Sequence, residues 1–337
     1  MMENNMTVLG WDIGGAHVKA VRRQQGQIVA AHQYPCPLWR GLEHLDAAIA
    51  QALADLGDAP CHAATMTGEL ADIFSSRADG VTTLSARLAQ SLPRLKLYGG
   101  RAGWILPEHA GQHTDDIASA NWHASASLAA RHVRDGLLID MGSTTTDLIL
   151  LRDGKIADIG YTDAGRLESG ELVYTGMVRT PVMAIASHAP LNGRITALTA
   201  EYFATAADIY RILGWLDEAA DQYPSADGGA KSCEGSHRRL ARMAGADAGD
   251  FSDTTMRSFA EWLHESQLRR IQDAAMLLLS NGPLSAEAPV IGAGIGIRVL
   301  EKLAARLGRP FQRFGNLPGL GGDGSFAPAI AVAMLLT

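Results

Sequence analysis

Two copies of one pattern, a strand ending in aspartate followed by a glycine turn and a second strand, constrain this chain more than any other feature. Over residues 10–19, GWDIGGAHVK, a β-prone run ends in Asp12, breaks at Gly14-Gly15 and resumes at Val18. A turn at Gln25-Gly26 then leads into a third run over 27–33. The meander returns about 130 residues later, on the scale of a domain. Apolar residues 136–140 end in Asp140, residues 142–145 make a polar turn, 146–151 are β-prone, and Asp153-Gly154 turns into 155–160. One such hairpin is as readily an ordinary turn as a binding element; its recurrence argues for an internal duplication.

The length agrees, because a single core stops growing near about 250–300 residues and the chain has 337. Behind each meander the apolar spacing becomes helical, as in Leu42, Leu45, Ile49, Leu53 and Leu56. Helices are predicted over 42–56, 68–92 with a break near Gly80, 125–133, 254–280, 298–307 and 327–336, with short strands over 61–66 and 288–291. Strands followed by helices, given twice, predict an α/β protein of two domains, 6–135 and 136–337, facing a central cleft. The second domain is expected to carry a helical insertion over 195–250, with a loop at the Pro/Gly/Ser-rich residues 223–235.

A polyphosphate needs close backbone approach, N–H donors and a cation, and glycine supplies the first two. Gly14 and Gly15 are expected to bend the first hairpin onto phosphate oxygens, His17 and Lys19 to add donors or charge, and Asp12 to hold Mg²⁺. The second hairpin repeats the design with Gly142, the hydroxyls of Ser143, Thr144 and Thr145, and Asp140 for the metal, while Asp147 orients neighbours. A third segment, VIGAGIGIR over 290–298, runs a strand into Gly292, Gly294 and Gly296 at a helix start. There the dipole favours an anion, or the backbone packs on a flat ring. Its spacing does not match the dinucleotide fingerprint.

Other classes recede. The net charge is −7 with Lys and Arg scattered, so no basic stripe suits nucleic acid. Cys36, Cys61 and Cys233 match neither a disulfide framework nor a metal site and fit a reducing compartment. No leader-like pattern opens the chain and no run reaches the roughly 20 apolar residues of a membrane span, so a cytoplasmic protein without membrane partners is expected.

Together the three glycine segments resemble the phosphate-1, phosphate-2 and adenosine motifs of the superfamily of actin, Hsp70 chaperones and sugar kinases. TMTGELADIFSSRADGV (65–81), LLIDMGSTTTDLI (137–149) and YTDAGRLESGELVYTGMVRTPV (161–182) further resemble the hydantoinase and oxoprolinase A-type family. Within it they are similar to short members linked to tetrahydromethanopterin-dependent one-carbon metabolism. The resemblance implies two actin-like domains and a Mg²⁺-dependent transferase of methanofuran or methylofuran biosynthesis. Such an enzyme joins an (aminomethyl)furan-methyl diphosphate to the phenol of a γ-glutamyltyramine-like or tyrosine-like acceptor and releases pyrophosphate. ATP is not required by that chemistry; an ATP-dependent kinase or ATPase, with residues 292–296 on adenosine, and a catalytically silent nucleotide sensor stay open as alternatives. So does a homo-oligomer.

Three catalytic candidates lie outside the hairpins. Glu69 and Asp72 follow the strand at 61–66, where a carboxylate can accept a phenol proton; Glu69 equally reads as a first-turn acid of a helix. Arg166 lies with Glu171 and Arg179 in the family-like segment, where an arginine pair can clamp a phosphate or a carboxylate.

Overall fold

The computed structural model describes residues 6–282, 284–322 and 324–336. The chain divides into two compact units, one of Met1–Leu138, Ile149–Gly165 and Gln312–Thr337, the other of Ile139–Leu148 and Arg166–Phe311.

The first unit is built on a sheet of β1 (Val8–Ile13), β2 (His17–Gln24), β3 (Gln27–Pro35), β4 (Cys61–Met66), β5 (Leu95–Tyr98) and β6 (Trp104–Ile105), in the order β3-β2-β1-β4-β5-β6. β1 and β2 are antiparallel, with Asp12 opposite Lys19; β1 and β4 are parallel, with Asp12 opposite Thr65. A parallel pair needs a long crossover, and α1 (Glu43–Leu56) supplies it. Leu45 and Ile49 of α1, with Val81, Leu84 and Leu88 of α2 (Arg77–Ser91), close a core over Leu9, Trp11 and Ile13. α3 (Thr114–Ile117) and α4 (Asn121–Ala130) follow.

The expected break near Gly80 is corrected by the structure. The helix begins at Arg77, capped by the Ser76 hydroxyl on the Asp79 N–H, and runs through Gly80. A Cβ on Gly80 would stand 2.4 Å from the Glu69 carbonyl oxygen, so this glycine permits close approach to Glu69 rather than ending a helix.

The last helix, α10 (Ala327–Leu335), packs on β1 through small residues. A Cβ on Gly10 would lie 2.2 Å from the Ala329 carbonyl and 2.7 Å from the Ala333 side chain. The buried Arg23 guanidinium donates to the Ala333 and Leu336 carbonyls, capping the helix end. Gly10→Ala is therefore expected to destabilise the chain by about 1–3 kcal/mol through overpacking, which denaturant unfolding measures; an unchanged midpoint would contradict this packing.

The second sheet holds β7 (Gly136–Met141), β8 (Thr146–Arg152), β9 (Lys155–Ile156), β10 (Leu172–Val173), β13 (Val290–Gly294) and β14 (Phe311–Arg313), in the order β10-β8-β7-β13-β14 with β9 on β8. α5 (Asp163–Ser169) precedes β10, and β11 (His188–Leu191) pairs with β12 (Arg194–Ala197) as a separate hairpin. The stretch expected to be helical, 195–250, opens with the rest of β12 and then carries α6 (Ala206–Leu213) and α7 (Cys233–Met243). A capping box between Thr205 and Asp208 starts α6, and Asp208 accepts at 2.8 Å from Arg239 of α7, both buried. The long α8 (Asp253–Ser280) buries Met256, Phe259, Leu263, Leu268 and Ile271, and α9 (Ile297–Arg306) follows β13. No helix among the described residues is long and apolar enough to cross a membrane.

Candidate functional site

In the first unit the turn between β1 and β2 is closed by the Gly14 N–H donating to the His17 carbonyl at 2.9 Å. A Cβ on Gly14 would crowd that carbonyl at 2.8 Å, so the turn requires glycine there. Asp12 is half-buried at the end of β1 and His17 is buried at the start of β2. The Lys19 ammonium donates to the Ser325 carbonyl at 2.6 Å, an engagement within its own unit. Gly68, at the exit of β4, packs its bare Cα face against Leu38, the Ile13 carbonyl and Gly14, and Glu69 is the next residue in the chain.

Glu69 carries a strongly perturbed carboxyl. It is 1% exposed. Its Oε1 accepts from the Ser119 hydroxyl at 2.8 Å, and its Oε2 has no hydrogen-bond partner among the described residues. Burial, the largest influence, raises the carboxyl; the Ser119 hydrogen bond, the residue's own backbone N–H and the nearby Arg77 charge act to lower it, Asp163 acts to raise it, and the balance lies at about 7. Ser119 Oγ also lies 3.1 Å from Asp163 Oδ2 and 2.9 Å from Arg77 Nη2, and Arg77 pairs with Asp163. Arg77 Nη2 is 3.7 Å from Glu69 Oε1. Ser119 takes a left-handed backbone, φ 52°, a conformation that costs a non-glycine residue about 1–2 kcal/mol.

Asp72, the other proposed base, is exposed on the segment 71–76 and stands outside this group. Ser119, Arg77 and Asp163 were not singled out by sequence reasoning. Arg77 and Asp163 do lie in the family-like stretches 65–81 and 161–182, but nothing in the sequence marks Ser119.

In the second unit the Asp140 hairpin closes in the same way, the Gly142 N–H donating to the Thr145 carbonyl at 2.9 Å. Ser143, Thr144 and Thr145 are partly exposed on that turn. Residues 176–180 wrap it from behind: the Met177 N–H donates to the Gly142 carbonyl, and the Val178 and Arg179 N–H groups donate to the Ser143 carbonyl, at 2.9–3.0 Å. A Cβ on Gly176 would fall 2.6 Å from Ser143 C and Thr144 N. The buried Gln267 of α8 anchors this wrap, its amide donating to Thr175 Oγ1 at 2.6 Å and to the Gly176 carbonyl at 2.8 Å, while Tyr210 donates to Gln267 Oε1 at 2.7 Å.

The third glycine segment meets the second hairpin directly. Gly294 has φ 79°, and a Cβ there would lie 2.4 Å from Asp140 Oδ1 and 2.3 Å from the Met141 carbonyl. The Gly296 N–H donates to that carbonyl at 3.1 Å. Gly292 instead faces the Phe311 ring, at 2.4 Å from its would-be Cβ. Arg166 is buried, paired with Asp147 at 2.8 Å and donating to the Glu171 carbonyl at 3.0 Å. Arg179 is exposed, and Glu171 is buried beside Ser169.

No group of three or more His, Cys, Asp or Glu among the described residues could cage a metal. Asp12 and Asp140 each place one carboxylate at their own hairpin, and Mg²⁺, which keeps most of its waters, can be held by a single carboxylate.

Residues 61–308 match the hydantoinase/oxoprolinase family. A curated protein of Methanocaldococcus jannaschii, (4-{4-[2-(gamma-L-glutamylamino)ethyl]phenoxymethyl}furan-2-yl)methanamine synthase, is 30% identical over 297 residues, 87% of each chain. A protein of the same name from Methanococcus vannielii is 35% identical over 116 residues, 34% of this chain and 52% of its own length. Among solved structures, a nucleotide-free acetone carboxylase, from a study of ATP-dependent acetone carboxylation, aligns with a TM-score of 0.57. It shares 10% identity over 98% of this chain and 70% of its own, a likeness of fold alone.

Proposed function

Because this chain belongs to the hydantoinase/oxoprolinase family and has an actin-like α/β fold, we propose that it is a transferase that forms a furfuryl aryl ether in methanofuran-type cofactor biosynthesis. The substrates are an (aminomethyl)furan-methyl diphosphate and the phenol of a γ-glutamyltyramine-like acceptor. The name of the M. jannaschii relative supports this reading, since its product carries a phenoxymethyl link to a furan. The observation that carries it is Glu69: a buried carboxyl raised to about 7, with one oxygen unpartnered among the described residues, one residue beyond the Gly68 that packs on the first hairpin.

An ether of this kind needs a leaving group on the furan methylene and a base for the phenol. As the C–O bond to the diphosphate breaks, its electron pair leaves with the diphosphate, and the furan ring supports the cationic character left on the methylene carbon. The phenol oxygen supplies the electron pair of the new C–O bond, and its proton passes to Glu69 Oε2. A base with a proton affinity near the operating pH is the effective choice for that transfer. Gly14 and Gly142, whose own N–H groups close the two turns, allow close approach of a phosphate to each hairpin, and Gly15 in the first and the hydroxyls of Ser143 to Thr145 in the second offer donors for its oxygens. Asp12 and Asp140 can each hold Mg²⁺, which would supply charge neutralisation on the diphosphate. Arg166 acts through Asp147, holding the strand that follows the second turn.

The test is incubation with the furan diphosphate and a panel of phenols that includes γ-glutamyltyramine, with Mg²⁺ and without ATP. Pyrophosphate and an ether of matching mass are expected, and chelation of Mg²⁺ is expected to stop both. No pyrophosphate with any acceptor would overturn the proposal, and ADP formation on adding ATP and an unactivated furan alcohol would point to a kinase instead.

A further inference from the structure

We infer that Ser119 and Asp163 form the exit path for the proton that Glu69 takes up, with Arg77 holding the oxygens in line. The inference rests on the reading of Glu69 as the base.

A base that is 1% exposed must be emptied after each turnover, and while the acceptor covers Oε2 the hydrogen-bonded side at Oε1 is left for the exit of the proton. Glu69 Oε1 has one hydroxyl partner, Ser119. That hydroxyl carries a single proton, yet two carboxyl oxygens stand within its reach, Glu69 Oε1 at 2.8 Å and Asp163 Oδ2 at 3.1 Å. The arrangement is satisfied in either of two ways, with the Ser119 proton turned to Glu69 or to Asp163, and a proton can pass between the two acids by switching from one to the other. Asp163 is partly exposed, with 21% of its side chain accessible, so the path ends at solvent.

The step balances as a proton hop. A proton on Glu69 Oε1 transfers to Ser119 Oγ while the serine proton transfers to Asp163 Oδ2, and Asp163 then releases it to water. The proton arrives on Oε2 and leaves from Oε1, so the carboxyl exchanges its two oxygens by rotation or by moving the proton within the group. Glu69, Ser119 and Asp163 end as they began, and no oxidant or co-reactant is involved.

Geometry beyond the hydrogen bonds supports a dedicated position for Ser119. A parallel bridge from Ala118 to Met66 ties its neighbour beside the exit of β4, and Ser119 itself, two residues before α4 begins at Asn121, takes a left-handed backbone that serine adopts at a cost. Strained non-glycine residues of this kind gather at functional sites. Arg77 reaches all three oxygens from α2, and it and Asp163 are the charged groups that act on Glu69.

The test uses the full chain with Ser119→Gly and Asp163→Asn, and Ser119→Ala as a second serine variant. Glycine removes the hydroxyl and relieves the backbone, so a loss of activity there is not a folding defect. One readout needs no substrate: pH titration of the Glu69 carboxyl by infrared difference spectroscopy, assigned with Glu69→Gln. The midpoint is expected to rise in Ser119→Gly, which loses a hydrogen bond to the carboxylate, and to fall in Asp163→Asn, which loses a neighbouring negative charge.

The second readout is steady-state pyrophosphate release. Both variants are expected to lose about tenfold in kcat with KM unchanged, short of the roughly 10²–10⁴-fold typical of removing a general base outright. More acidic phenols, already ionised in solution, are expected to shrink the deficit. Wild-type turnover lost in Glu69→Gln but retained in Ser119→Gly and Asp163→Asn would overturn the relay and leave the base reading standing. No wild-type turnover with any phenol would overturn the base reading and the relay together.

Discussion

Glu69→Gln is expected to lower turnover by about 10²–10⁴-fold and, at the same time, to raise the stability of the chain above pH 7. Both effects have one cause. The carboxyl is buried, which pushes its proton affinity from the ordinary 4.5 to about 7. Between those values the folded chain holds a proton on Glu69 that the unfolded chain releases, so the contribution of this group to wild-type stability is greatest below pH 4.5 and is lost as pH rises through 7. A shift of this size corresponds to on the order of 3 kcal/mol, and the side chain is too deeply buried for solvent to screen much of it. Glutamine keeps the shape and can still accept the Ser119 hydrogen bond, but carries no charge to desolvate. Denaturant unfolding at pH 4.5 and pH 8 should show variant and wild type drawing apart only at the higher pH. Parallel stability curves across that range would mean that Glu69 is not held as the buried, proton-retaining carboxyl described here.

Gly176→Ala is expected to cost about 100-fold in kcat/KM, the scale of effect a displacement of about 1 Å can have on a positioned group. The new Cβ would stand 2.6 Å from Ser143 C and Thr144 N and 2.7 Å from the Gly142 carbonyl. All three atoms are backbone, so no side chain can swing aside, and the turn itself must move. Overpacking adds a stability loss of about 1–3 kcal/mol. Gly249, exposed and with nothing within 4 Å of its would-be Cβ, provides the control. Gly249→Ala should behave as wild type in pyrophosphate release and in thermal melting. Full activity in Gly176→Ala would show that the wrap from 176–180 does not set the turn.

Much of the local architecture was legible because its causes lie within a few residues of one another. The turn at Gly14-Gly15 joins β1 to β2, and the turn at 142–145 joins β7 to β8, each closed by a bond spanning three residues. The 28-residue α8 and the helices α9 and α10 likewise begin within a residue of their expected starts, since helical periodicity needs no distant partner. Gly80 was misjudged for the opposite reason. A glycine that breaks a helix and one that admits a neighbouring backbone look alike in sequence, and only the contact with Glu69 distinguishes them.

Turn chemistry and hydrophobic period are short-range properties, and they sufficed for the two Asp-Gly hairpins at Asp12 and Asp140, the glycine strand end at 290–294 and the family-like segments. Long-range packing set which groups act together. It placed Asp140 against Gly294, paired Arg166 with Asp147 and left Asp72 exposed while burying Glu69. It also brought Ser119 and Asp163 to Glu69 from distant parts of the chain. A carboxyl's proton affinity depends on burial and on neighbouring charges, and both are set by packing between residues far apart in sequence. Spacing could identify Glu69 as a candidate base, but only the packed unit could set it near neutrality.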